Sequence, residues 1–105
     1  MTQRDIFVVG AARTAIGTFG GSLKDVPNTQ LATTAVKAAI ERSGVAPAEV
    51  GHVVMGNVIP TDTRDAYLSR VAAVDAGCPI ETPAFNVNRL CGSGLQAIVS
   101  AAQAI

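Results

Sequence analysis

Asn88-Arg89-Leu90-Cys91-Gly92-Ser93-Gly94-Leu95 lies between two segments of opposite character. Before it, Pro83-Ala84-Phe85-Asn86-Val87 is short, extended in character and bounded by proline. After it, the run from Leu95 to Ile105 holds good helix formers and no proline. The junction predicts a strand-to-helix corner with Cys91 on or just inside the first helical turn. Backbone N–H groups at such a corner lack intrahelical partners and carry the positive end of the helix dipole, which favours a thiolate over a thiol. Gly92, Ser93 and Gly94 are small enough to let a substrate approach closely. The chemistry that fits is nucleophilic; the competing reading is an inert cysteine, since free cysteine is among the most buried residue types.

No residue from Leu90 to Ile105 is charged. At 100° per residue, Ser93, Gln96, Ser100 and Gln103 fall on one narrow stripe and the rest is apolar or small. A surface helix would carry a broad charged face, so this one is expected to be buried nearly all round. It is too short and too polar to span a bilayer. Burial on every side needs several layers of structure, more than a chain of 105 residues easily supplies. The expectation is an incomplete domain.

Composition points the same way. Charged residues make up 15% of the chain, against roughly 25% in ordinary soluble proteins, and apolar residues 49%. Aromatics are only 4%, so the apolar excess is aliphatic and suits packed helix and sheet layers. The formal net charge is zero with no basic cluster, which removes the electrostatic footing for nucleic-acid binding. The opening residues Met1-Thr2-Gln3-Arg4-Asp5 lack the pattern of a secretory signal or a transit peptide, and no run approaches transmembrane length. Cys78 precedes Pro79 and Cys91 precedes Gly92, contexts too unlike to read as a disulfide framework. A reducing, cytoplasmic setting is expected.

Working back along the chain, Ile6-Phe7-Val8-Val9 is a continuous apolar run closed by Gly10, the pattern of a strand covered on both faces. Residues 11–24 form a glycine-punctuated loop. Pro27-Asn28-Thr29 opens a helix, with Asn28 as the expected cap; Leu31, Ala35, Val36, Ala39 and Ile40 give its buried face and Ser43-Gly44 its end. His52–Val58 reads as a second strand. A further helix from Arg64 to Ala76, capped by Asp62 or Thr63, directs Tyr67, Leu68, Val71 and Val74 to the core and stops at Gly77. The order β-α-β-α-β-α predicts an α/β layer with a mainly parallel sheet and no domain boundary.

The remaining candidates read mostly as structural. Cys78 has no basic neighbour. His52, the only histidine, opens a strand and so belongs at the sheet edge opposite the strand ends where Cys91 sits. Gly17 to Gly21 has neither phosphate-binding spacing and lies well past its strand. Arg64, Asp65 and Arg70 suit an ion-pair face or a subunit contact, and a solvated helix face equally well. Asn88 suits a side-chain hydrogen bond that fixes the turn, and Ser93 a bond to the free N–H groups of the helix.

Val87-Asn88-Arg89-Leu90-Cys91-Gly92-Ser93-Gly94-Leu95-Gln96-Ala97-Ile98 resembles the acyl-enzyme segment of the thiolases. Arg13-Thr14-Ala15-Ile16-Gly17-Thr18-Phe19-Gly20-Gly21 resembles the first loop of that family, and Val54-Met55-Gly56-Asn57-Val58 its second strand. The resemblance runs through essentially the whole of residues 1–105 and is nearest to bacterial acetyl-CoA acetyltransferases and broad-specificity β-ketothiolases. It implies the N-terminal part of a layered αβαβα fold, with the cysteine-led helix between two sheets. It also implies Cys91 as the nucleophile that carries an acyl group, coenzyme A thioesters as substrates with no bound cofactor or metal, and a homodimer or homotetramer. The Cys91 N–H would serve as an oxyanion donor.

Three parts of the family pattern are missing from this sequence: a Gly-His-Pro segment, a second cysteine near a C-terminal glycine-rich segment, and an Asn-Glu-Ala-Phe-type segment. The surroundings of His52 and Cys78 match none of them. The expectation is half an active site, catalytically silent by itself. Alternatives are a decarboxylating ketoacyl synthase, marked by two downstream histidines, and a non-catalytic binding or assembly fragment.

Overall fold

A computed structural model describes residues 3–105; Met1 and Thr2, part of the opening segment read above for targeting signals, lie outside them. The elements in chain order are helix α1 (Asn28–Ser43), strand β1 (Val53–Gly56), helix α2 (Leu68–Asp75), strand β2 (Ala84–Val87) and helix α3 (Ser93–Gln103). β1 and β2 pair in parallel, Val53 opposite Ala84 through Gly56 opposite Val87. Side chains alternate across a strand, so this register gives the sheet two different faces. Val53 and Met55 pack towards Ala73 of α2, while Gly56 lies against the first turn of α3. α2 therefore covers one face and α3 the other, and α1 packs on α2. The α/β class with a parallel sheet is as expected.

The first strand is not. Ile6–Val9 has no regular structure and all four side chains are exposed. A strand exists only by pairing, and among the described residues the sheet is the β1–β2 pair alone. Beside β1, an apolar hollow of about 530 Å³ opens between Ala35 and Ala39 of α1 and Ala97 and Ile98 of α3. The residues after Val9 instead fasten to α1. Arg42 donates to the Ala11 carbonyl at 2.9 Å, and Gly10 lies so close to Ala39 that a Cβ would come within 2.5 Å of its carbonyl oxygen.

Helix ends follow the expected signals with two corrections. α1 stops at Gly44, which takes a left-handed φ of 72° where glycine has no steric penalty. Its start is not capped by Asn28: Pro27 occupies the cap position and its carbonyl accepts the Gln30 and Leu31 N–H groups. The Asn28 amide instead donates to Thr61 Oγ1 at 2.9 Å and Asp65 Oδ2 at 3.0 Å. Asp62 does cap the next segment, accepting the Arg64 N–H at 3.0 Å. That segment begins as a tight 3₁₀ turn, Thr63–Tyr67, so α2 is shorter than the predicted Arg64–Ala76. The change of period from 3.6 to 3.0 turns Tyr67 out to solvent, and Val74 is also exposed, while Leu68 is buried.

Ala72 and Ala73 are fully buried, and Ala73 packs in one cluster with Val53 of β1 and Cys78. Asp65 is the one charged residue buried among those described, 1% exposed. Its carboxylate accepts bonds from Thr61 N–H and hydroxyl, both at 2.8 Å, from Asp62 N–H at 3.1 Å and from Asn28. Its own carbonyl accepts from Asn57 and Asn86, at the ends of β1 and β2. Among the described residues no helix is long and apolar enough to cross a membrane.

Two outcomes follow. Ala73→Leu overpacks the α2–sheet contact and should destabilise by about 1–3 kcal/mol, read from the denaturation midpoint. The bonds from Thr61, first its N–H and then its hydroxyl, hold the Asp65 carboxyl below its ordinary 3.8. A depressed carboxyl contributes stability that is present above the ordinary value and lost as pH falls through the folded one. The thermal midpoint of the wild type should therefore drop more steeply below about pH 4 than that of Asp65→Asn, and parallel curves would refute the role.

Candidate active site

Strand β2 ends at Val87 and α3 begins at Ser93, so five residues, Asn88 to Gly92, make the corner. Gly92 occupies the cap position of α3 and Cys91 stands one residue before it, exposed. This corrects the expected place inside the first turn: the thiol is at the mouth of the helix. The N–H of Cys91 has no protein acceptor among the described residues.

Side chains shape the corner. Asn88 Oδ1 accepts the Leu90 N–H at 3.0 Å, as the sequence suggested, and Asn88 Nδ2 donates to the Val58 carbonyl just past β1. Ser93 acts otherwise than expected. Its hydroxyl accepts the Arg89 N–H at 2.8 Å and donates to the Leu90 carbonyl at 2.7 Å, so it closes the loop rather than satisfying the helix. Between these bonds Leu90 takes a φ of 47°, the one non-glycine residue with positive φ among those described. Arg89 turns outward along the helix and donates to Gln96 Oε1 at 2.6 Å.

α3 runs back across the sheet from the carboxyl end of β1 to its start. Its inward side is small or polar, with Ser93 and Ala97 buried and Gln96 and Ser100 half-buried. Its outward side carries Leu95, 71% exposed, Ile98, 60% exposed, and Val99. The expected burial all round therefore does not hold within these residues, because the sheet covers one side only.

No other candidate joins Cys91. His52 lies at the opposite edge, its ring edge-on to Phe85 with centroids 5.3 Å apart, beside Ala101 and Ala104 at the far end of α3. Its Nε2 is buried without a hydrogen-bond partner among the described residues. Cys78 is buried against Val53 and Ala73, and desolvation pushes its thiol pKa up, away from nucleophilic use. Gly17 to Gly21 closes a turn through the Gly21 N–H and Thr18 carbonyl. Arg64 pairs with Asp75 at 3.7 Å on the surface, and Arg70 holds the Ile80 and Thr82 carbonyls. The described residues contain no cluster of His, Cys, Asp and Glu suited to a metal ion. Sequence reading missed Asn57 and Asn86 and left Asp65 on a surface face; the only signal was the Asp62-x-x-Asp65 spacing of a helix start.

The family model described as thiolase, N-terminal domain, matches residues 6–105. The beta-ketothiolase BktB of Cupriavidus necator is 62% identical over 102 residues, covering 97% of this chain and 26% of that protein. An acetyl-CoA acetyltransferase of the same organism is 48% identical over 101 residues, 96% of this chain and 25% of the relative. Among solved structures, human mitochondrial 3-ketoacyl-CoA thiolase in complex with CoA superposes with a TM-score of 0.89 at 47% identity, over 92% of this chain and 25% of that one. The Bacillus anthracis acetyl-CoA acetyltransferase gives 0.84 at 43% identity, over 90% and 24%. The chain thus spans about a quarter of the length of the relatives it matches.

The corner depends on β1 as well as on its own residues. A Cβ on Gly56 would come within 2.7 Å of the Ser93 carbonyl carbon and 2.9 Å of the Gly94 nitrogen, both backbone atoms at the start of α3. Gly56→Ala must displace the first turn of α3, with an expected loss of about 1–3 kcal/mol in stability, measured by denaturant unfolding. An unchanged midpoint would contradict the close approach.

Proposed function

We propose, from the premise that this chain belongs to the thiolase family through its N-terminal domain, that it supplies the nucleophile of an acyl-CoA C-acyltransferase. The observation that carries the reading is the exposed Cys91 thiol at the mouth of α3, with the Cys91 N–H beside it, unpaired among the described residues. The Cys91 thiolate attacks the carbonyl of an acyl-CoA thioester; the carbon–sulfur bond to CoA breaks and CoA leaves as a thiolate that takes up a proton. The acyl group is then held on Cys91. A second acetyl-CoA, deprotonated at its α-carbon, attacks this thioester, forms the carbon–carbon bond of a 3-ketoacyl-CoA and frees the sulfur. Thiolysis is the same sequence reversed. The Cys91 N–H is a donor towards the oxyanion of either tetrahedral stage.

The base that takes the thiol proton and the acid that returns one come from outside residues 1–105, since His52 and Cys78 are both held away from the corner. Residues 1–105 are then the first part of an N-terminal domain whose remainder, together with a second domain, completes the site. On this reading the isolated chain has no turnover. CoA thioesters are the substrates, in line with the human relative crystallised with CoA, and no cofactor takes part. The outward apolar side of α3 is covered in the complete molecule, which assembles as a homodimer or homotetramer. A cytoplasmic, reducing setting keeps a nucleophilic thiol available.

The test is acyl transfer. The full-length protein carrying this chain, incubated with radiolabelled acetyl-CoA, should hold one label per chain on the peptide containing Cys91. Cys91→Ser should abolish labelling and lower turnover by at least about 10³-fold, while Cys78→Ser retains both. Absence of label on Cys91 with CoA still bound would leave a binding protein in place of an enzyme.

A further inference from the structure

We propose that Asn88 and Ser93 are positioning residues for Cys91: together they lock Leu90 in a left-handed backbone and so aim both the thiol and the Cys91 N–H. This rests on the reading of Cys91 as the acyl-carrying nucleophile. A leucine at φ 47° is held against its own preference, which glycine and asparagine do not share to the same degree. The Leu90 side chain does not hold it there, being 69% exposed. Both polar groups of Leu90 are instead taken by its neighbours. Asn88 Oδ1 accepts its N–H, and the Ser93 hydroxyl and N–H both donate to its carbonyl, at 2.7 and 3.1 Å.

The clamp is anchored at two ends. Asn88 Nδ2 reaches the Val58 carbonyl beyond β1, and Ser93, 5% exposed, sits in the close contact between α3 and Gly56. Rotating Leu90 into the right-handed or extended region would swing the Leu90–Cys91 peptide and carry the Cys91 sulfur off its direction. It would also move the Cys91 N–H from the oxyanion position. Displacements of this kind change reaction rate more than substrate affinity, because they act on attack geometry.

The experiment reads single-turnover acylation of the full-length protein by radiolabelled acetyl-CoA, recording both the rate at saturation and the concentration giving half of it. Asn88→Ala removes two exposed bonds, one to the Leu90 N–H and one to the Val58 carbonyl, and should slow acylation about tenfold with the half-saturation unchanged. Leu90→Val, which keeps an aliphatic side chain but resists positive φ through its branched Cβ, should slow it to a similar extent. Combining Asn88→Ala with Leu90→Gly should recover the rate to within about threefold of wild type, because glycine reaches the left-handed region unaided. A purely structural loss would not be rescued by a glycine. The proposal is overturned if Asn88→Ala acylates as fast as wild type, or if its defect persists in the glycine double variant. A wild type that takes no label removes the nucleophile reading and this proposal with it, whereas a wild type that labels beside an equally fast Asn88→Ala removes this proposal alone.

Discussion

One buried carboxylate ties the molecule together. Asp65 gathers four bonds on its side chain from Thr61, Asp62 and Asn28, and two more on its carbonyl from Asn57 and Asn86. A carboxylate that is nearly inaccessible keeps its charge only when such donors replace water. Their origins matter as much as their number: Asn28 opens α1, Asn57 follows β1 and Asn86 lies on β2. Two strands of four residues are marginal as a pair, so fixing their carboxyl ends to two helices gives the short sheet a defined edge. Cys91 lies four residues past that edge, and Asn88 adds a bond from the corner to Val58.

Close packing supplies the rest of the rigidity. α2 touches the sheet through Ala72 and Ala73, and α3 touches it through Gly56, Ser93 and Ala97. Small residues at these points bring backbones near one another, so the position of α3 is transmitted from β1 through main-chain contact instead of through adjustable side chains. A corner held in this way has little freedom to drift, which is what a nucleophile aimed at a carbonyl requires.

The sequence was most legible where local chemistry and tertiary placement agree. The βαβ core, the Gly44 stop, the Asp62 cap, the Asn88 turn and the separation of His52 from Cys91 all follow from neighbours close in the chain or from strand direction. Ile6–Val9 was misread because an apolar run records what could be buried, not whether a pairing edge receives it. Asn28 looked like a cap by position, yet Pro27 takes that place and leaves its amide for Asp65, a partner 37 positions away. Tyr67 failed for a local reason, since a 3₁₀ turn shifts the period and no composition rule marks where it yields to α-helix. Asp65 itself was invisible as a hub, because its partners converge only after folding.

The two sides of α3 carry the last step. An ordinary surface helix turns its large apolar residues in and its polar residues out. Here Ser93 and Ala97 are buried and Gln96 and Ser100 half-buried on the sheet side, while Leu95, Ile98 and Val99 face outward. Fully covering such side chains is worth about 1.5–3 kcal/mol each, so a helix of this design is stable where a second layer lies over it. The same layer would shield the neighbourhood of Cys91, strengthening every dipole directed at a developing oxyanion. On the proposed reading, the apolar outer face and the exposed thiol at its head are therefore one feature. The surface that stabilises the helix by accepting a cover is also the surface across which the missing acid and base would reach the sulfur.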